Sequence, residues 1–144
     1  MTRNEIIVGL DDSPSGRAAL RWAARQAVLA GSLLRAIHVL DWPYGSATDP
    51  EGNTSQPSHA EIDESYRRSI TAVFEQADPD PDWQLEFARG DAGPVLVREA
   101  KGAQLLVVGT REHVGLGRLL VGSISHYCLT HATCPVVAIP AETS

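Results

Sequence analysis

The chain has 144 residues, the length of one ordinary domain with room for a sizeable hydrophobic core. It is 43% hydrophobic and 21% charged, a soluble globular balance, and no window reaches the roughly 18 apolar residues of a membrane span. A formal net charge of −6 argues against a sequence-independent grip on nucleic acid, which needs a basic face, while leaving room for a local cationic pocket.

Met1-Thr2-Arg3-Asn4-Glu5 lacks the apolar stretch and cleavage site of a signal peptide, so a cytoplasmic location is expected. Glu5-Ile6-Ile7-Val8-Gly9-Leu10 is short, apolar and rich in β-branched residues, and predicts a buried strand. Asp11-Asp12-Ser13-Pro14-Ser15 breaks it, with Ser13 as a helix N-cap and Pro14 at the first helical position. Leu20, Ala23, Ala24, Ala27 and Val28 repeat at helical spacing until Gly31, placed as a C-terminal cap. Leu33 to Leu40 predicts the second strand.

Residues 41–57 are loop by composition, and Trp42 and Tyr44 sit on them as residues that would cap a ligand or pack on the surface. Ser58-His59-Ala60-Glu61 has the form of a capping box, and Ile62, Tyr66, Ile70, Val73, Phe74 and Ala77 follow on one helical face. Asp78-Pro79-Asp80-Pro81-Asp82 ends that helix. Trp83 to Ala88 alternates and predicts a more exposed third strand. Gly90-Asp91-Ala92-Gly93-Pro94 opens a third helix reaching about Lys101, Gln104 to Val108 is the fourth strand, Ser123 to about His131 the fourth helix, and Pro135 to Ile139 the fifth strand.

Strands alternating with helices, most of them continuously apolar, predict an α/β fold with a mostly parallel sheet covered on both faces. No repeat or composition shift divides the chain, so a single domain over 1–144 is expected. Cys128 and Cys134 form neither a disulfide framework nor a zinc set; both flank an apolar run and read as buried thiols.

The segment after the fourth strand carries Gly109, Gly115, Gly117 and Gly122, then Ser123-Ile124-Ser125. In an open parallel sheet, ligands bind beyond the carboxyl ends of the strands where strand order reverses. If the first and fourth strands are neighbours, Leu10-Asp11-Asp12 and Val108-Gly109-Thr110 line one crevice, and the fourth helix starts beside it. Free N–H groups at a helix start favour an anion, and Ser123 and Ser125 add hydroxyls. Asp11 is suited to accept hydrogen bonds from ribose hydroxyls. The stretch is neither a Walker A loop nor a dinucleotide fingerprint. From the residues alone, an anion site and plain turn glycines both remain open.

The run Gly109-Thr110-Arg111, Gly115-Leu116, Leu119-Leu120-Val121-Gly122-Ser123-Ile124-Ser125, with Cys134-Pro135-Val136-Val137 and the opening Ile7-Val8-Gly9-Leu10-Asp11-Asp12-Ser13-Pro14-Ser15, resembles the universal stress protein family over almost the whole chain. The resemblance implies a five-stranded parallel sheet of order 3-2-1-4-5. It implies ATP, or AMP or another adenine nucleotide, with Mg²⁺ arriving on the nucleotide. Gly9, Leu10 and Asp11 would meet base and ribose, Val39 would lie against the adenine, Val108 and Gly109 would line the ribose and phosphate path, and Gly122, Ser123, Ile124 and Ser125 would hold the phosphates. It also implies a homodimer formed by pairing the last strands, Val136–Ile139, across a two-fold axis.

The sequence departs from the family's nucleotide motif at one position. The second motif glycine falls on Glu112, a carboxylate beside the expected phosphates, with Arg111 and Arg118 as countercharges. Two readings follow: a nucleotide-binding signalling module with an unidentified protein partner, or an interaction module whose nucleotide site is weakened or lost. No nucleophile with a base and an orienting group stands out, so catalysis is not expected, and neither is an adenylating ligase, which would carry extra substrate domains or a signature for releasing pyrophosphate. His38, in a buried strand, is expected to be a satisfied core residue; His113 sits beside the phosphate loop. His126 and His131 lack an i, i+4 ligand spacing.

Overall fold

The computed structural model describes residues 2–40, 59–110 and 122–142. The loop 41–57, with Trp42 and Tyr44, the Ser58 end of the capping box, and the stretch holding Arg111, Glu112, His113, Gly115, Gly117 and Arg118 lie outside the described residues. The elements run β1 (Glu5–Gly9), α1 (Pro14–Ala30), β2 (Leu33–Leu40), α2 (His59–Gln76), β3 (Gln84–Arg89), α3 (Ala92–Glu99), β4 (Leu105–Gly109), α4 (Ser123–His131) and β5 (Val136–Ile139). The five strands form one sheet of order β3-β2-β1-β4-β5, and every neighbouring pair is parallel.

The continuity of the apolar runs follows from helices on both faces. Successive residues of a strand point to opposite sides, and here both sides are dry. On one face Ile6, Val8, Leu34, Ala36 and Val107 pack with Ala19, Leu20 and Ala23 of α1 and Ile70, Val73 and Phe74 of α2. On the other, Ile7, Ile37, Leu106 and Val108 pack with Leu96 and Ala100 around α3 and with Cys128 of α4. The edge strands β3 and β5 are only partly buried.

Local chemistry sets the helix ends. Ser13 caps α1, its hydroxyl accepting from Gly16 N at 3.0 Å, with Pro14 next to it. Gly31 ends α1 in the left-handed region, φ +65°, and its N–H turns back to the last carbonyls. On the second face Cys128 is fully buried, and burial, with Cys134 as neighbour, pushes its thiol up to about 11. It is therefore protonated at neutral pH and acts as a packing residue. Cys134 is only partly buried, unlike the buried thiol expected, though the burial it has still pushes its thiol up.

Candidate functional site

With β1 between β2 and β4, the chain leaves β1 toward one side of the sheet and β4 toward the other, so their carboxyl ends bound a crevice. A cleft of about 530 Å³ lies there, within the size range of small-molecule sites. The β1 end contributes Gly9, Leu10 and Asp11, β2 contributes Val39, β4 contributes Val108 and Gly109, and α4 opens on it with Gly122, Ser123, Ile124 and Ser125. All ten residues singled out in the sequence therefore line one cleft.

Their local chemistry is more specific than the sequence indicated. Asp11 Oδ1 accepts from Ser13 N at 3.0 Å and from Ser13 Oγ at 2.5 Å. One carboxylate oxygen of Asp11 is thus built into the turn that starts α1. Gly16 must be glycine beside it, since a Cβ there would stand 2.0 Å from that oxygen. Gly109 has a similar reason: a Cβ would stand 2.6 Å from the Ser15 carbonyl carbon and 2.8 Å from Gly16 N. The first turn of α1 rests directly on the end of β4. At Gly9 a Cβ would meet Leu96 Cδ1 at 2.7 Å. Gly109 is therefore required by packing, whatever the cleft holds, whereas at Gly9 the neighbour is the end of a side chain that can shift.

At α4 the two serines separate. Ser125 is fully buried and its hydroxyl donates to the Gly122 carbonyl at 3.0 Å. Ser123 is exposed. Gly122 has extended backbone, and its N–H donates to the Thr110 carbonyl at 2.7 Å, tying the helix start to the end of β4. No side chain caps α4, in contrast to Ser13 at α1. The first N–H groups of α4 have no partner within the helix, as at any helix start, and here no capping side chain replaces it.

Five polar or aromatic groups on the cleft were not singled out as site residues: Asp12, His38, Asp63, Tyr66 and Arg89. Asp63 of α2 and Arg89 of β3 are ion-paired on its wall. Ile62 and Tyr66 do share the apolar stripe of α2 with Ile70, Val73 and Phe74, but only the last three are buried. Ile62 and Tyr66 stay 40% and 50% exposed and face the cleft instead of the core. A stripe at helical spacing does not reveal where the sheet beneath it stops. The signal available in the sequence was Arg89 itself, a charge at the carboxyl end of a strand. His38 is hydrogen-bonded as expected, but it is only half-buried and faces the cleft instead of lying in the core.

Residues 2–140 match the Universal stress protein family. The chain belongs to that family. A universal stress protein from Mycobacterium tuberculosis is 38% identical to it over 151 residues, which cover 96% of this chain and 48% of the relative. The chain spans about half the length of the curated relatives it matches. Among solved structures, universal stress protein UspA from Lactobacillus plantarum superposes with a TM-score of 0.74 at 23% identity, covering 96% of this chain and 99% of that one. A universal stress protein in complex with cAMP gives 0.66 at 19% identity, with 99% and 100% covered. One from Archaeoglobus fulgidus in complex with dAMP gives 0.61 at 21%, with 96% and 98% covered. At these identities the solved structures speak for the fold, which is the family fold with its strand order. No helix among the described residues is long and apolar enough to cross a membrane.

Proposed function

We propose that this protein binds an adenine nucleotide in the cleft between the ends of β1, β2 and β4 and acts as a small cytoplasmic signalling module. The observation that carries the reading is the convergence of Gly9, Leu10, Asp11, Val39, Val108, Gly109 and the uncapped start of α4 on one cleft of about 530 Å³. The apolar walls suit a base, Asp11 at the rim of β1 suits a ribose, and the α4 amides suit phosphate. Two family members crystallised with cAMP and dAMP support the class of ligand. ATP with Mg²⁺ is the fuller form of the proposal, and AMP the minimal one. The module works by binding and by presenting its surface to a protein partner, not by turnover.

A second reading has one specific observation behind it. Glu112 stands where the family's nucleotide motif has its second glycine, and it would set a carboxylate beside the phosphates. Calorimetry of the purified protein with AMP, cAMP and MgATP, beside a Glu112→Gly variant, separates the two. Binding by the unmodified protein is expected, with MgATP gaining more from the glycine than AMP does, because it carries more charge. Binding by the variant alone would overturn the nucleotide reading for the natural chain and favour an interaction module.

The edge position of β5 supports a homodimer paired through Val136–Ile139, since an exposed strand edge offers unpaired backbone groups to a second copy. A Val137→Lys variant is expected to elute as monomer from a sizing column while retaining its fold by circular dichroism. An unchanged dimer would remove β5 from the interface.

A further inference from the structure

The β1–β2 ladder stops one rung early, and a side chain meets the carbonyl where it stops. In a parallel pair, the N–H and C=O of one residue bond the two residues that flank its opposite number. Leu10 N–H donates to the Ile37 carbonyl at 2.9 Å, continuing the register in which Gly9 faces Ile37. The next rung would run from Val39 N–H to the Leu10 carbonyl. Among the described backbone pairs that rung is not made. The Leu10 carbonyl instead lies 2.7 Å from His38 Nδ1. A carbonyl only accepts, so Nδ1 carries the hydrogen and donates it. The β2 strand goes on without β1, pairing Val39 with Ala88 and Leu40 with Arg89 on its other side.

The imidazole is held in that pose. The Tyr66 ring lies near-parallel to it at 6.4 Å between centroids, and the Phe87 ring meets it edge-on at 6.0 Å. Arg67 lies over the far ring, 4.7 Å from the Phe87 centroid. Val39 lines the cleft at the place where the two strands part.

We propose that His38 is a positioning residue that holds the β1–β2 fork open by drawing the Leu10 carbonyl toward its ring and out of line with the ladder, so that the Val39 N–H is left to a ligand. The donor then faces the cleft ready for an acceptor atom on the edge of a planar ring. The choice of ligand rests on the nucleotide reading above; the fork itself does not.

The test is amide hydrogen exchange followed by NMR on the ligand-free full chain, with His38→Asn and His38→Phe beside the natural protein. Asparagine keeps an N–H close to the position of Nδ1; phenylalanine keeps the ring and has no donor. In the natural protein and in His38→Asn, Val39 is expected to exchange on the order of tenfold faster than its ladder-bonded neighbours, the factor set by one backbone hydrogen bond. In His38→Phe the strands are expected to close by one rung and Val39 exchange to slow by about the same factor. The affinity for AMP should fall with it by on the order of tenfold, and be kept in His38→Asn. Val39 as protected as Ile37 in the natural protein would overturn the proposal, even if the phenylalanine variant failed to fold. So would an asparagine variant that behaves like the phenylalanine one. If Val39 exchange follows the fork and no form binds AMP, the fork stands and the nucleotide reading falls.

Discussion

Gly109→Ala is expected to destabilise the protein by about 1–3 kcal/mol, the usual cost of forcing an extra methyl into a packed site. The added Cβ would stand 2.6 Å from the Ser15 carbonyl carbon, 2.7 Å from Ser15 Oγ and 2.8 Å from Gly16 N. Two of these are backbone atoms in the first turn of α1, and they cannot rotate aside. Nor can the turn retreat easily, because Ser13 is fastened to Asp11 by its N–H and hydroxyl, and Gly16 already lies against Asp11. The helix start would have to lift off β4, moving Asp11 and Gly109 apart on the cleft they share. Gly9→Ala is the control. Its nearest contact is the end of the Leu96 side chain, which has rotamers to change, so a smaller loss is expected. Urea denaturation of both variants checks the pair. A Gly109→Ala protein within about 0.5 kcal/mol of the natural one would mean that the α1 start is looser than its contacts state.

The fold was legible in the sequence because its determinants are local and repeated. Continuous β-branched runs signalled strands buried on both faces, and Ser13-Pro14 and Gly31 signalled the two ends of α1. The strand order came from the family resemblance, since no pattern in the chain says that β1 lies between β2 and β4. The site was legible in part for the same reason. Residues at strand ends and at a helix start are marked by glycine, aspartate and serine, and those converged on the cleft.

What stayed hidden depends on distances between elements. Gly16 drew no notice, although the Asp11 carboxylate fills the space its side chain would need. Ser123 and Ser125 look alike in the sequence, yet one is exposed and the other fully buried with its hydroxyl given to Gly122. Arg35 reads as one polar residue in an apolar run. It bonds Glu5 at 2.8 Å and Glu86 at 2.9 Å and approaches Glu99 at 3.6 Å, joining β1, β2, β3 and α3 at the end of the sheet away from the cleft. His38 is the sharpest case: a satisfied core histidine is what the sequence suggested, but it is half-buried on the cleft and the atom that satisfies it is the carbonyl at the strand fork.

Ser123→Asp is expected to move stability and ligand binding in opposite directions. Ser123 is the first residue of α4, exposed, and follows an N-cap with no side-chain hydrogen bond. A carboxylate in the first turn of a helix meets the positive end of the backbone dipoles and stabilises by about 0.3–1 kcal/mol. The same carboxylate would stand at the place assigned to phosphate. Two like charges about 4 Å apart repel by roughly 1 kcal/mol in water and about 4 kcal/mol at the effective dielectric of a protein surface. At about 1.4 kcal/mol per decade, AMP affinity should fall by on the order of tenfold or more. Adenosine, which has no phosphate, should bind the variant as it binds the natural protein. Thermal denaturation with calorimetry for both ligands checks this. Equal losses for AMP and adenosine would mean that Ser123 affects the shape of the cleft and not its charge. An unchanged AMP affinity would mean that the start of α4 does not hold the phosphate, and the anion would have to be sought at Arg89, the cation placed on the opposite wall by β3.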